Sequence, residues 1–493
     1  MELYDVLHGI KINNQAEILK NISIDGLSFH SNKVQKNEVF IAISGGRHDG
    51  HDYIKQAINH GAAAVVGEKE IKEELPVPYI RVQDSRKALA KMAANYYKNP
   101  AKKHIMIGIT GTNGKTTTAF MLKHLIEEAG YTCAMFGSVV NVMNGKEFPA
   151  VHTTPDSLEL NRLLHVSDDD FVVMEVSSHA LSQARVEGIE FDYCLFTNLG
   201  HDHLDYHKSF EEYFSVKASL FNQLKSDGFA IVNIDNQWGE KLQAILEEKK
   251  INTISLSQFE EAEWTFRKTL NGLCPSVILK NRQKEELHFH VKMPGEHNIY
   301  NSVMALITGR KIGIAIDKLV LGILSFKGAP GRFEMIDYDG ITIVIDYAHT
   351  ADAFEHCLKA AHECGAKKVF HVFGFRGGRD ETKRGDMLQT SVGLADCCIL
   401  TLDDLNNVPF DSMVLTMSTL NKEYGRDKGE VIPDRTLAIK NAIKSASCGD
   451  WVFITGKGNE SYKFPFEIGT SSDTETVLFL REGKEKDWTD AVI

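Results

Sequence analysis

A lysine preceded by closely set glycines and followed by threonines, in GITGTNGKTTT at 108–118, is equipped to hold a polyphosphate. Glycines let backbone N–H groups crowd toward one point, and a helix opening at Lys115 would aim its positive end there. Lys115 would add a point charge at the β- and γ-phosphates, and the Thr116 hydroxyl would reach a bound Mg²⁺. Five residues separate Gly108 from Gly114, where the Walker A spacing has four. The loop is therefore better described as a compact variant, Gly111-Thr112-Asn113-Gly114-Lys115-Thr116-Thr117. This loop predicts binding of a nucleoside triphosphate.

Two further clusters carry chemistry. Glu175 ends the apolar run FVVMEV and is followed by Ser177 and Ser178. A carboxylate at the C-terminal tip of a parallel strand beside a phosphate loop suits a Mg²⁺ ligand or a water-orienting group, although a solvated strand-end glutamate has the same pattern. TNLGHDHLDYH at 197–207 then gathers three histidines, two aspartates and an asparagine. The spacing H-x-H-x₃-H allows a zinc site, a polar loop, or a loop that supports Mg²⁺. A hydroxide-generating zinc fits poorly beside a triphosphate, which favours the Mg²⁺ reading.

Such groups need strands that end together. Short, nearly continuous apolar runs suit parallel strands covered on both faces. They occur at EVFIAI (38–43), AAAVVG (62–67), His104–Ile109, FVVMEV (171–176), YCLFTNL (193–199) and GFAIVNID (228–235). Others follow at ITIVID (341–346), KVFHVFG (368–374), DCCILT (396–401) and WVFIT (451–455). The amphipathic stretch after Lys115, closing at Gly130, predicts the helix that the phosphate loop requires. The expected organisation is α/β throughout, in three domains at 1–98, 99–329 and 330–493, with Pro/Gly punctuation at Pro100 and at Gly328–Gly331. No internal repeat or low-complexity tract is evident.

The 493 residues are 43% hydrophobic and 25% charged, with a net charge of −12. That balance argues against nucleic acid as a partner, because no basic stripe is available to neutralise phosphates. No segment approaches the roughly 20 apolar residues of a membrane span, and the N-terminus has no signal-peptide core. Eight cysteines are scattered without a C-x-x-C pair, which suits a reducing cytoplasm and argues against a zinc ribbon or a disulfide framework. Cys397-Cys398 lies in an apolar run and predicts core packing. Small-molecule substrates and a monomer of three flexible domains are expected.

The ordered set GTNGKTT, EVSSHAL, TNLGHDHLDYH, PGEHNIYN (294–301), APGRFE (329–334) and IDYAHTADA (345–353) resembles the Mur ligases, ATP-dependent amide-bond formers of peptidoglycan synthesis. Within that family it is most similar to members that add the third amino acid to UDP-MurNAc-L-Ala-D-Glu. The resemblance implies a three-domain architecture: a uridine-nucleotide domain, a central P-loop parallel-sheet domain, and a Rossmann-like C-terminal domain for the amino acid. It implies ATP and Mg²⁺, with two metal ions, as cofactors. Lys115 and Thr116 would bind phosphates and metal, Glu175 and His203 would help hold Mg²⁺, and Lys217 would be carbamylated to make a carboxylate-like metal ligand. Residues alone would make Lys217 a surface helix lysine. Asn298 and Asn301 match nucleotide-positioning residues, while Arg332 and Asp346 match the groups that close over ATP. Ser31 matches the uridine-site serine, and Thr153, Thr154, Ser177, Gln183 and Arg185 match acceptor-binding positions. Arg379, Arg384, Gly456 and Glu460 match positions around the amino acid.

The match breaks on the substrate side. Members that add meso-diaminopimelate carry Asp-Asn-Pro-Arg where this chain has Asp403-Asp404-Leu405-Asn406. Loss of the arginine and gain of a carboxylate predict an incoming side chain ending in an amine, such as that of lysine or ornithine. Phe375-Arg376 replaces small residues, Ala351 and Gly385 replace prolines, Asn459 replaces histidine, and His30-Ser31-Asn32 replaces Asp-Ser-Arg. The reaction implied is phosphoryl transfer to the D-Glu carboxylate, then attack by an amine on the acyl phosphate. A paralogue using another carboxylate acceptor, as in folylpolyglutamate synthetase, and a non-catalytic sensor of a cell-wall precursor are the competing expectations.

Overall fold

The computed structural model describes residues 1–12, 21–46, 48–204, 206–259, 261–270 and 272–483. The apolar runs form three sheets, each inside one of the three expected regions. The first is parallel, in the order Gly26–Ser28, Glu38–Ile41, Ala64–Gly67, Tyr79–Arg81. The second carries the phosphate loop on the strand Ile105–Thr110, which lies between Phe171–Glu175 and Phe191–Phe196, parallel to both. The third runs Glu334–Tyr338, Ile341–Asp346, Trp451–Thr455, Val369–Phe375, Cys397–Leu402, Gly429–Val431, with only its first strand antiparallel.

Parallel register makes the strands end at the same edge, so loops after Thr110, Glu175, Phe196, Asp346, Phe375, Leu402 and Thr455 can share sites there. The helix Lys115–Glu128 follows the first of these loops. Its Ala119, Leu122, Leu125 and Ile126 are buried in a core shared with Val303 and Leu306 of the helix Glu296–Ile312. Leu122 has no exposed surface, and its truncation to alanine would cost about 2–5 kcal/mol. Cys398 is fully buried in the core of the third unit, as expected, and all eight cysteines are free.

Two antiparallel flanks go beyond the sequence expectation. The meander Trp264–Leu270, Ser276–Asn281, Glu286–His290 closes one edge of the central sheet, and Val140–Met143 with Lys146–Pro149 closes the other. These strands mix polar and apolar residues because one face meets solvent, so they lack the continuous apolar signature of the parallel strands. Among the described residues no helix is long and apolar enough to cross a membrane.

Candidate active site

The phosphate loop is built by two glycines that tolerate no side chain. Gly111 has φ +144°, and a Cβ there would lie 1.9 Å from the Thr197 hydroxyl oxygen. Gly114 has φ +86°, and its Cβ would lie 2.4 Å from Asn301 Oδ1. Both positions therefore need glycine on conformational and steric grounds. The loop is braced by Asn198, whose carbonyl accepts from Thr112 N at 2.9 Å and whose side-chain oxygen accepts from Asn113 N, also at 2.9 Å. Lys115 Nζ donates to the carbonyls of Gly111 at 2.8 Å and Thr112 at 2.9 Å, which folds its charge over the loop. Burial lowers the Lys115 pKa, with Glu175 and Asp202 opposing.

Behind the helix start lies Glu175, 1% exposed. Its Oε2 accepts from Thr116 Oγ1 at 3.0 Å, and its Oε1 accepts from Ser138 N at 2.9 Å. Ser138 Oγ in turn accepts from the Arg332 guanidinium at 3.3 Å. Ser138, which sits in no recognisable motif, therefore joins Arg332 to the carboxylate. A buried carboxylate held only by hydroxyl and amide donors beside a phosphate loop fits Mg²⁺, which takes one or two carboxylates and completes its shell with phosphates and water. Among the described residues no three His, Cys, Asp or Glu side chains cluster to hold a metal alone, so the zinc reading gains no support. Asp205 of the histidine loop lies outside the described residues.

The rest of that loop sits over the phosphate site. Burial holds His203 neutral, with its pKa lowered to about 3 despite Asp202 at 3.4 Å. Thus one ring nitrogen can act as a neutral ligand or acceptor while the other donates. Lys217 is 1% exposed, against the surface position its helix pattern suggests. Its Nζ donates to the Gly111 carbonyl at 2.7 Å and lies 4.6 Å from the centre of the Tyr213 ring. Burial, aided by Lys115, drives its pKa well below the ordinary lysine range, with Asp202 opposing.

A cavity of about 840 Å³ opens from this point. Lys115, Thr116, Glu175 and His203 line it together with Asn298, Asn301, Arg332 and Asp346. Thr153, Ser177, Gln183 and Arg185 line it as well. The buried Thr154 hydroxyl donates to the Glu175 carbonyl at 2.8 Å, and Arg185 donates to the Thr154 carbonyl at 2.7 Å and to Gln183 Oε1 at 2.9 Å. Asn298 donates from Nδ2 to the Pro294 carbonyl at 2.8 Å, fixing the start of its helix. Asp346 accepts from the amides of Phe333 and Ala348, both at 2.6 Å, which ties the Arg332 segment to the third sheet. Ser31 does not line this cavity; it belongs to the first unit, where its hydroxyl donates to Gln56 Oε1 at 2.9 Å.

The amino-acid positions divide. Arg379 lines both this cavity and an adjoining one of about 90 Å³, where Arg376, Arg384 and Asp403 also appear. Asp404, Asn406, Gly456 and Glu460 line neither. Asn406 donates to the Gly377 carbonyl at 2.7 Å and shapes the loop. Asp403 and Asp404, expected to attract an amine, are ion-paired with cations of the same chain. Lys457 reaches Asp404 at 2.7 Å and Asp403 at 3.4 Å, and Lys463 reaches Asp404 at 2.7 Å. Burial would raise both carboxyl pKa values, but Arg376 and Lys457 beside Asp403, and Lys457 and Lys463 beside Asp404, hold them below the usual range. Asp202, inside the quoted HDH motif but given no role from sequence, meets Lys383 at 3.5 Å and His349 at 3.6 Å across the cleft.

Comparison with known proteins finds likeness across the whole chain. Three family models match: "Mur ligase family, catalytic domain" at residues 23–97, "Mur ligase middle domain" at 109–309, and "Mur ligase, glutamate ligase domain" at 331–458. The UDP-N-acetylmuramoyl-L-alanyl-D-glutamate–2,6-diaminopimelate ligase of Clostridium tetani is 36% identical over 474 residues, covering 94% of this chain and 95% of that protein. The Clostridium perfringens ligase of the same name is 34% identical over 494 residues, covering 98% of each. A solved structure of a ligase with that name is 26% identical with a TM-score of 0.69, covering 98% of this chain and 99% of its own. A MurF ligase from Thermotoga maritima in complex with ADP shares the fold at 20% identity and a TM-score of 0.63, covering 88% of this chain and 95% of its own. With likeness running through all three units, the chain belongs to the Mur ligase family, whose members are ATP-dependent, ADP-forming ligases.

Proposed function

We propose that the chain joins an amino acid to the D-glutamate carboxylate of UDP-MurNAc-L-Ala-D-Glu, at the expense of ATP, in peptidoglycan precursor synthesis. The observation that carries this reading is one 840 Å³ cavity whose lining combines the phosphate loop, the buried Glu175 carboxylate and Arg332 with Thr153, Ser177, Gln183 and Arg185. The relatives' names supply the acceptor. In this reading residues 1–98 bind the uridine nucleotide, 99–329 bind ATP, and 330–493 bind the amino acid. The same reading has a monomer acting on soluble substrates in the cytoplasm.

The chemistry must overcome the inertness of a carboxylate toward amines. A carboxylate oxygen attacks the γ-phosphorus, the bond to the bridging oxygen breaks, and ADP leaves. The amine nitrogen then attacks the acyl carbon, the carbon–oxygen bond to phosphate breaks, and the nitrogen gives up a proton. Lys115 and Arg332 neutralise charge gathered in the first step, and losing one such donor typically costs about 10²–10³ in rate. Asn298 and Asn301 orient the nucleotide, and closure of the third unit excludes water that would hydrolyse the acyl phosphate. Mg²⁺, when bound, offsets phosphate charge; Thr116, Glu175 and His203 are the residues that would hold it. The buried Lys217 amine is suited to carbamylation: its neutral nitrogen would bond the carbon of CO₂ and release one proton, leaving a carboxylate-like group in place of the amine.

Phosphate release from ATP tests the reading. Turnover should require both UDP-MurNAc-L-Ala-D-Glu and an amino acid, and the product should gain one residue by mass. Release that ignores the acceptor, or none with any amino acid, would overturn it.

A further inference from the structure

Arg376 is one of the departures from the family pattern, standing where small residues are usual, and it makes a dense set of contacts. Its guanidinium donates to the Glu460 carboxylate, to the Gly456 carbonyl at 3.1 Å and to the Tyr347 hydroxyl at 3.2 Å. Its Nε lies 3.6 Å from Asp403 Oδ2, and neither atom has a hydrogen-bond partner. The guanidinium also lies 5.1 Å from the centre of the Tyr347 ring, which Arg332 approaches at 4.1 Å. Two carboxylates, a carbonyl and an aromatic ring converging on one point make a cage for a cation. The cage sits beyond the C-terminal ends of strands Val369–Phe375, Cys397–Leu402 and Trp451–Thr455, where ligands of parallel sheets bind.

We propose that Arg376 is a specificity-determining residue that fills a cation cage in the amino-acid site, so that the enzyme excludes amino acids with a side-chain ammonium and takes those with uncharged or acidic side chains. This rests on the third unit binding the amino acid. A lysine, ornithine or diaminopimelate ammonium entering the cage would meet a fixed positive charge. Displacing Arg376 instead would strip a guanidinium of four partners at once, and unpaired charges in partly buried sites are costly. Asp404 offers no second receptor, because Lys457 and Lys463 already hold it. Arg379 lines both cavities and has no ion-pair partner among the described residues, which leaves the free charge of the site positive. The carboxylates that from sequence predict an amine are thus spent on internal cations.

The test compares the full-length wild type with Arg376→Gly and Arg376→Lys. Phosphate release is measured with UDP-MurNAc-L-Ala-D-Glu and lysine, ornithine, meso-diaminopimelate, glycine, alanine, serine, aspartate or glutamate. Lysine and diaminopimelate binding is followed by calorimetry with a non-hydrolysable ATP analogue present. The wild type should turn over only with amino acids lacking a side-chain ammonium. Arg376→Gly should bind lysine or diaminopimelate at least about tenfold more tightly than wild type, a tenfold change being 1.4 kcal/mol. Arg376→Lys keeps a cation in the cage and should stay closed. Wild-type turnover with lysine, ornithine or diaminopimelate would overturn the proposal, as would an Arg376→Gly protein with no gain, or an Arg376→Lys protein that opens equally. Should every turnover arm stay silent while Arg376→Gly gains lysine binding, the acceptor assignment fails and the cage stands.

Discussion

Asp202 and Lys383 lie 3.5 Å apart, although one follows the central strand Phe191–Phe196 and the other precedes the helix Arg384–Leu394 of the third unit. His349 joins the same carboxylate from a third direction at 3.6 Å. Asp202 is 8% exposed. Burial would raise its pKa, yet His349, His203 and Lys383 outweigh that and hold it well below the usual range. This carboxylate therefore stays charged and ties the nucleotide unit to the third unit across the cleft. Asn113 in the phosphate loop adds a weaker tie, donating to Asp352 at 3.3 Å.

Removing the Asp202 charge should loosen closure without unfolding either unit. Close charge pairs across an interface couple by about 1.5 kcal/mol or more, so Asp202→Asn should lower kcat/KM for the amino acid by about tenfold or more. The radius of gyration measured by solution X-ray scattering with nucleotide bound should rise. An unchanged scattering profile with unchanged kinetics would show that the tie does not control closure.

Glu175 offers a cleaner separation of charge from shape. Glu175→Gln keeps the side-chain length, and its amide oxygen can still accept from Ser138 N, but its negative charge is gone. Losing a preorganised electrostatic partner predicts a fall in turnover of about 10²–10³. Circular dichroism should stay unchanged, and raised Mg²⁺ should recover part of the loss. A variant as active as wild type at low Mg²⁺ would remove Glu175 from the metal site.

Much of this was legible in the chain itself, and the reasons differ by feature. The phosphate loop was readable because Gly111, Gly114 and Lys115 act through local backbone geometry over a few residues. The parallel strands were readable because burial on both faces leaves continuous apolar runs. Ser138 was not, since one serine beyond a strand carries no pattern, and its role comes from reaching both Glu175 and Arg332. Lys217 has the helix context of a surface residue and becomes buried through tertiary packing alone. The partners of the acidic pair at 403–404 were not legible, because local sequence does not show distant groups: Lys457, which pairs with Asp404, stands 53 positions away.

The loop that carries Lys457 and Glu460 hangs on a buried ion pair. Arg435 and Asp473 are both fully buried and bonded in parallel, Nε to Oδ1 at 2.7 Å and the terminal nitrogen to Oδ2 at 2.7 Å. The same guanidinium donates to the Thr455 carbonyl at 2.9 Å, immediately before Gly456. Breaking one side of such a pair strands the other charge, so Asp473→Ala should destabilise the third unit by about 3–5 kcal/mol. Denaturant unfolding checks the value. A loss below about 1 kcal/mol, the range of exposed pairs, would mean that water reaches Arg435.

His371 reports the same region through pH. It is fully buried, with Nδ1 2.8 Å from the Ser391 hydroxyl and Nε2 2.9 Å from the Thr455 hydroxyl. Burial, reinforced by Arg435, lowers its pKa to about 3. The folded chain therefore holds this ring neutral at pH values where the unfolded chain, with a histidine pKa of about 6.5, takes up a proton. Between those two values the unfolded state binds more protons, so stability is full above about pH 6.5 and is lost as pH falls, at a rate approaching 1.4 kcal/mol per unit. His371→Asn removes the titrating group. Other buried histidines contribute to the pH dependence of both proteins, so the informative quantity is the difference between them. Urea unfolding of the two proteins between about pH 7 and pH 5 should give a shallower pH slope for the variant, even if the variant is less stable at neutral pH. Equal slopes would mean that His371 is protonated in the folded state.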